Sequence, residues 1–157
     1  MKLSDIISFK AIVPQLAATD RNGVIEELVN SLHKAKKLGK ADPAALAKAV
    51  IKRENEASTG IGKGVAVPHV KHADVSKLVA VVGCSSSGID FASLDKQPVY
   101  TVFLLISPQE NPDKHLQAME IIFKNLQKDD FRRFLRQAQT PEDIIEAIKD
   151  ADDEASE

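Results

Sequence analysis

Apolar residues recur along this chain in two rhythms, one near a helical period and one as unbroken aliphatic runs, and the switches between them mark the elements. From Asp20 to Leu38 the positions Val24, Ile25, Leu28, Val29 and Leu32 form one helical stripe, which Gly39 can close. A second helix follows at once. Asp42-Pro43 supplies a cap and a first-turn proline, and Leu46, Ala49, Val50 and the stem of Arg53 continue one face, so Arg53 arrives at the C-terminal end of that helix. Val65 to Val67 reads as a short strand. Leu78 to Cys84 and Val99 to Ile106 are continuous β-branched and aliphatic runs, the pattern of strands covered on both faces. Asn111-Pro112-Asp113 opens a further helix, in which His115, Leu116, Met119, Ile122, Phe123 and Leu126 follow at mostly helical spacing, placing His115 in the first turn. A short helix through Phe131, Phe134 and Leu135 is expected next. The last begins after Thr140-Pro141-Glu142-Asp143, with Thr140 as cap and Ile144, Ile145 and Ile148 turned inward.

Strands separated by helices predict an α/β fold, a small mixed β-sheet flanked by helices on both faces. A chain of 157 residues with 43% hydrophobic content suits one core, and residues 1–149 are expected to form a single domain. Residues 150–157 are acidic and lack large apolar groups, so they are expected to be a disordered tail. The formal net charge of -2 gives no broad electrostatic reason to bind nucleic acid or an anionic membrane. Cys84 is the one cysteine, set in the strand-like run Leu78–Cys84, and reads as a buried thiol in a reducing compartment. The N-terminus has no basic leader followed by a sustained apolar stretch, and no apolar run is long enough to span a bilayer. A soluble cytoplasmic protein, with no membrane insertion, is the expectation.

The chemistry concentrates in Ser58-Thr59-Gly60-Ile61-Gly62-Lys63-Gly64-Val65-Ala66-Val67-Pro68-His69. Its glycines admit positive φ and close approach, the short apolar run fixes where the loop ends, and Pro68 interrupts the ladder. His69 is thereby expected where a strand gives way to a loop, a rigid and accessible place for a nucleophile. A neutral imidazole is the required form, and the ordinary histidine pKa of about 6.5 leaves much of it neutral near neutrality. The glycines do not make a nucleotide site. Val65 occupies the last position that the dinucleotide pattern reserves for glycine, and Gly62-Lys63 is followed by Gly64 where a P-loop needs Ser or Thr. His69-x-x-His72, with Asp74 or His115, invites a zinc reading, but no Cys-x-x-Cys or His-Glu-x-x-His supports it; neither metal nor cofactor is expected, and His72 reads as exposed. His33 falls among Lys34, Lys36 and Lys37 on a solvated face. Read from its residues alone, Arg53 is first of all a solvated helix end, and Thr59 is equally a turn residue bonded to its own backbone.

The same run resembles the Ser-Thr-Gly-Ile-Gly-x-Gly-x-Ala-x-Pro-His segment of the fructose, mannitol and nitrogen-regulatory enzyme IIA domains of the bacterial phosphoenolpyruvate-dependent phosphotransferase system, and Arg53-Glu54 and His115-Leu116 sit where that family has them. The resemblance covers nearly the whole chain up to the acidic tail. It implies the mannitol-specific enzyme IIA architecture, His69 as phosphoryl acceptor, His115 beside it, and Arg53 and Thr59 lining the site. Such a protein takes its phosphoryl group from an HPr-like phosphohistidine protein. It passes the group to a IIB domain, or uses its phosphorylation state to regulate targets. Because sugar-specific domains are often fused to their acceptors, a free-standing chain points first to the nitrogen-regulatory type, with a sugar-specific component as the alternative. A binding module that keeps the fold without the chemistry is the reading from a different class.

Overall fold

The computed structural model describes residues 1–156. The first helices are α1 (Leu3–Ile6), followed by a short 3-10 turn (Phe9–Ala11), then α2 (Arg21–Lys34) and α3 (Pro43–Glu56). Five strands follow: β1 (Gly60–Gly62), β2 (Val65–Ala66), β3 (His69–His72), β4 (Val79–Ile89) and β5 (Val99–Pro108). The chain then returns to helix in α4 (Pro112–Leu126), α5 (Asp129–Gln137) and α6 (Pro141–Ser156). Capping chemistry sets several of these starts. Asp20 accepts from the Gly23 amide at 2.6 Å, Asp42 from Ala45 at 3.0 Å, Asn111 from Lys114 at 3.4 Å, and Thr140 Oγ1 from Asp143 at 3.2 Å.

The sheet is mixed, as expected. β5 is central, pairing antiparallel with β4 on one edge and parallel with β2 and then β3 on the other, while β1 folds back antiparallel on β2. Alternation along β5 divides the interior. Val102, Leu104 and Ile106 face a core built with α2 and α3, whereas Phe103 and Leu105 face a second core built with α1, α4, α5 and α6. Helices therefore cover both faces.

Two expectations change, and the structure adds one contact the sequence does not announce. α2 closes one turn early, at Lys34, where Lys36 takes φ of 61° and the Lys37 amide bonds back to the Leu32 carbonyl at 3.0 Å; Gly39, also at positive φ, serves the following turn. The amino-terminal segment is tied into the sheet by parallel bridges from Ile7 to Ala80 and from Val13 to Gly83. Lastly, helix continues through Ser156 where composition implied a disordered tail from residue 150. The reason is a tertiary contact: the Asp152 carboxylate is buried and accepts from the amides of Leu3 at 2.9 Å and Ser4 at 3.2 Å, groups that the start of α1 leaves without intrahelical partners. Ala151 is buried beside it. Glu157, the last residue of that expected tail, lies outside the described residues. No helix among the described residues is long and apolar enough to cross a membrane.

Candidate functional site

The glycine-rich loop is a β-hairpin. Gly62, Lys63 and Gly64 turn it with φ of 93°, 59° and 78°, three consecutive left-handed residues that few sequences tolerate. At its base, any side chain on Gly60 would collide with Ser93, so that position requires glycine for close packing rather than for φ.

His69 does not stand in a loop. β2 and β3 are two stretches of one line of chain running beside β5 in a single register, with Val65 and Ala66 opposite Thr101 and Val102, and His69 opposite Leu105. Pro68 interrupts the ladder because it has no N–H, yet its carbonyl still accepts from Leu105 at 3.0 Å, so the backbone remains in line. His69 thus opens a strand, and the period of two puts it on the same face as Val65 and Val67, above the α4 side of the sheet. Its ring is half-buried, and its Nδ1 lies 2.8 Å from the Val67 carbonyl oxygen. A carbonyl can only accept, so Nδ1 carries the proton and Nε2 keeps a lone pair.

His115, from the first turns of α4, meets His69 with ring centroids 5.5 Å apart and planes tilted by 51°. It is buried, and its Nδ1 lies 2.7 Å from the hydroxyl of Ser107, a residue of β5 with no solvent exposure. If that hydroxyl donates, the imidazole proton sits on Nε2. Burial holds both histidines below the usual pKa. For His69 desolvation is the main cause, opposed by the Val67 carbonyl, with the charges of Arg53 and Lys71 adding to the depression and Glu54 countering it. For His115 desolvation, then His69 and Lys71, bring the value to about 4. Both rings are neutral at neutral pH.

Arg53 lies in the last turn of α3, half-buried, with Nη1 3.5 Å from the Ala57 carbonyl and its charge felt at His69. Thr59 is held differently from expectation. Its amide and hydroxyl donate to the two carboxylate oxygens of Glu54 at 2.5 and 2.6 Å, so the hydroxyl proton expected to line the site is already engaged. The Thr59 carbonyl accepts from Val67 at 3.3 Å, which ties the chain entering the hairpin to the strand leaving it. His69 and His115 are brought together, with the charge of Arg53 acting on His69, and Thr59 is braced against Glu54.

Three further residues, Glu54, Ser107 and Lys71, bear on the histidines. Glu54, rather than Arg53, continues the buried stripe of Leu46 and Val50 at four-residue spacing, and a carboxylate on such a stripe is itself a signal of a built polar contact. Ser107 follows Phe103 and Leu105 at the strand period. Lys71 stands two residues beyond His69 on the same strand face. His72, one step further, turns to the opposite face; it is half-buried, with Nδ1 accepting from the Asp74 amide at 3.1 Å. Among the described residues no three His, Cys, Asp or Glu side chains converge as metal ligands. Cys84 is buried, its thiol pushed up to about 11 by desolvation, and it packs as the sequence suggested.

A family model described as "Phosphoenolpyruvate-dependent sugar phosphotransferase system, EIIA 2" matches residues 5–151. The fructose-specific EIIABC component of Bacillus subtilis is 34% identical over 152 residues, which are 97% of this chain and 24% of that protein, so the chain spans about a quarter of its length. A nitrogen regulatory protein of Bradyrhizobium diazoefficiens is 30% identical over 94% of this chain and 95% of its own. The crystal structure of nitrogen regulatory protein IIA-Ntr from Neisseria meningitidis superposes with a TM-score of 0.84 at 23% identity, covering 93% of this chain and 98% of that one, a likeness of fold.

Proposed function

The chain belongs to the phosphotransferase-system EIIA 2 family, whose members are phosphoryl carriers, and from that premise we propose that it carries its phosphoryl group on Nε2 of His69. The carrying observation is the 2.8 Å contact between His69 Nδ1 and the Val67 carbonyl, which leaves Nε2 as the nitrogen with a lone pair. In the proposed step, Nε2 attacks the phosphorus of a phosphohistidine on an HPr-like donor. The new N–P bond forms as the donor's N–P bond breaks, and the electron pair returns to the donor's ring. His69 keeps its Nδ1 proton, and its ring becomes cationic while phosphorylated. The Val67 carbonyl then faces a charged donor, and such hydrogen bonds are about twice as strong as neutral ones.

The other residues act on charge and alignment, which dominate phosphoryl transfer. His115 is neutral before transfer and in the tautomer set by Ser107 offers an Nε2 proton to a phosphoryl oxygen. The arriving anion replaces some of the desolvation that depresses its pKa and favours its protonation. Arg53 supplies a guanidinium fork that can swing from the Ala57 carbonyl. Glu54 fixes the loop through Thr59. Neutrality of His69 is part of the design, because the proton that would block Nε2 is disfavoured by burial.

The same chemistry serves both uses found among relatives, and these differ only in what the phosphohistidine meets. A regulatory target is our first reading, and a IIB domain the second. The test is incubation with phosphoenolpyruvate, enzyme I and HPr, reading an acid-labile, alkali-stable phosphoprotein. Phosphorus–nitrogen NMR then assigns the nitrogen. We expect label on Nε2, none on His69→Ala, and retention of label in the presence of IIB domains. Normal labelling of His69→Ala sinks the assignment; rapid loss of label to one IIB identifies the transport use. No label at all, on a folded chain, leaves a binding module.

A further inference from the structure

We propose that the cleft between the tip of the β1–β2 hairpin and α5 binds a small phosphate-bearing anion, at a site separate from the histidine pair. The cleft encloses about 310 Å³, at the lower end of the range for small-molecule sites. Lys63 and Gly64 line it from the hairpin, Arg132, Arg133 and Arg136 from α5, with Tyr100 beside them, and one carboxylate, Asp129, also lines it. Four cations thus line one small space, and they are not equally engaged. Arg132 pairs with Asp129 and donates to the Leu126 carbonyl at 2.6 Å, and Arg133 pairs with Asp130 at 2.9 Å. Among the described residues, Lys63 and Arg136 have no carboxylate within ion-pair distance.

Arg136 is held by a ring instead of an anion. Its guanidinium carbon lies 3.3 Å from the centroid of Tyr100. That ring is itself wedged: a Cβ on Gly64 would come within 3.3 Å of its Cδ2, and one on Gly88 within 3.2 Å of its Cε1. Stacking fixes the plane of a guanidinium while leaving its N–H donors, which all lie in that plane, free at the edge. This is the geometry that binds phosphate oxygens in pairs. The hairpin tip is preset by its three left-handed residues, and the Lys63 amide is anchored to Asp95 Oδ2 at 3.0 Å. Two uncommitted cations on rigid supports, lining a cleft of this size, suit a compact anion rather than an extended acidic peptide.

The site is distinct from His69. Its Val65–Thr101 pair lies four residues along the ladder from the His69–Leu105 pair, about 13 Å at a strand rise of about 3.3 Å per residue. The two share the hairpin, however, and an anion bridging Lys63 to Arg136 ties the hairpin tip to α5.

Inorganic pyrophosphate titrated into the full chain, followed by amide NMR, tests the proposal. Saturable shifts are expected at Lys63, Gly64, Tyr100 and Arg136. Lys63→Gln and Arg136→Gln should each weaken binding about tenfold, the loss of one charge-assisted contact. His69→Ala should bind normally, which keeps this test independent of the phosphoryl-carrier reading. Lys63 is exposed, so its variant reports on binding even if Arg136→Gln loosens the Tyr100 stack. Shifts that rise without saturation and are reproduced by sodium chloride would mean simple screening and overturn the site. So would saturable binding untouched by either substitution, or a poly-glutamate peptide binding where pyrophosphate does not.

Discussion

The depressed pKa of His115 makes the fold itself sensitive to acid. In the unfolded chain this histidine takes up a proton near pH 6.5, whereas in the folded protein it resists until about pH 4. Between those values the unfolded state binds more protons, so stability falls as pH falls through that window and is fully present above it. A drop from 6.5 to about 4 is worth at most about 3 kcal/mol, and the share lost between about pH 7 and about pH 5 is about 2 kcal/mol. His69 is held down in the same direction, and carboxylates titrate lower in the range, so the wild-type curve alone does not isolate the effect. His115→Gln does. Glutamine cannot titrate but can still reach the Ser107 hydroxyl; groups remote from the site cancel in the comparison, and the difference reports His115 together with its coupling to His69. Urea unfolding of both proteins at the two pH values should show the wild type losing about 2 kcal/mol more than the variant, whatever the variant's stability at neutral pH. Equal losses in the two proteins would show that His115 is not desolvated in the folded state.

Three other perturbations follow from named contacts. Glu54→Ala strands the Thr59 amide and hydroxyl in a buried place and should cost about 3 kcal/mol in chemical denaturation, with slower acceptance from HPr beyond what the melt explains; unchanged stability would mean the brace is not formed. Gly62→Val puts a β-branched side chain at φ of 93° with its Cβ 3.2 Å from Asp95 Oδ2, so, if the glycines serve close approach of the donor, phosphoryl acceptance should fall more steeply than the melting temperature, and normal transfer with a normal melt would show that they do not. Asp152→Ala removes the acceptor of the Leu3 and Ser4 amides and should lower stability by about 1–3 kcal/mol, with hydrogen exchange at those amides accelerated, while Asp152→Asn retains part of it; protected amides in the alanine variant would be the contrary result.

Local chemistry made much of the protein readable from its residues. Caps at Asp42, Asn111 and Thr140 start helices wherever they occur, because a side-chain oxygen and the helix's first amides meet without help from the rest of the chain. The runs Leu78–Cys84 and Val99–Ile106 had to lie at the centre of the sheet, because nothing else buries both faces of such a segment. The family resemblance carried by the run from Ser58 to His69 implied His115 beside His69, and the two rings lie 5.5 Å apart.

What the chain folds against decided the rest. Residues 150–156 are too polar to predict as ordered, and become helix because Asp152 finds two amides some 150 residues away in sequence. Whether His69 sits in a loop or a strand depended on β5 holding register across Pro68, and which of its nitrogens is free depended on where the Val67 carbonyl points. Thr59 bonds to Glu54 because a buried carboxylate must be satisfied, and although the stripe of Leu46 and Val50 points to Glu54, its partner is decided by how α3 packs. Local signals name the elements and the candidate residues; hydrogen-bond direction, burial and protonation are set by neighbours distant in sequence, and those exist only once the fold has formed.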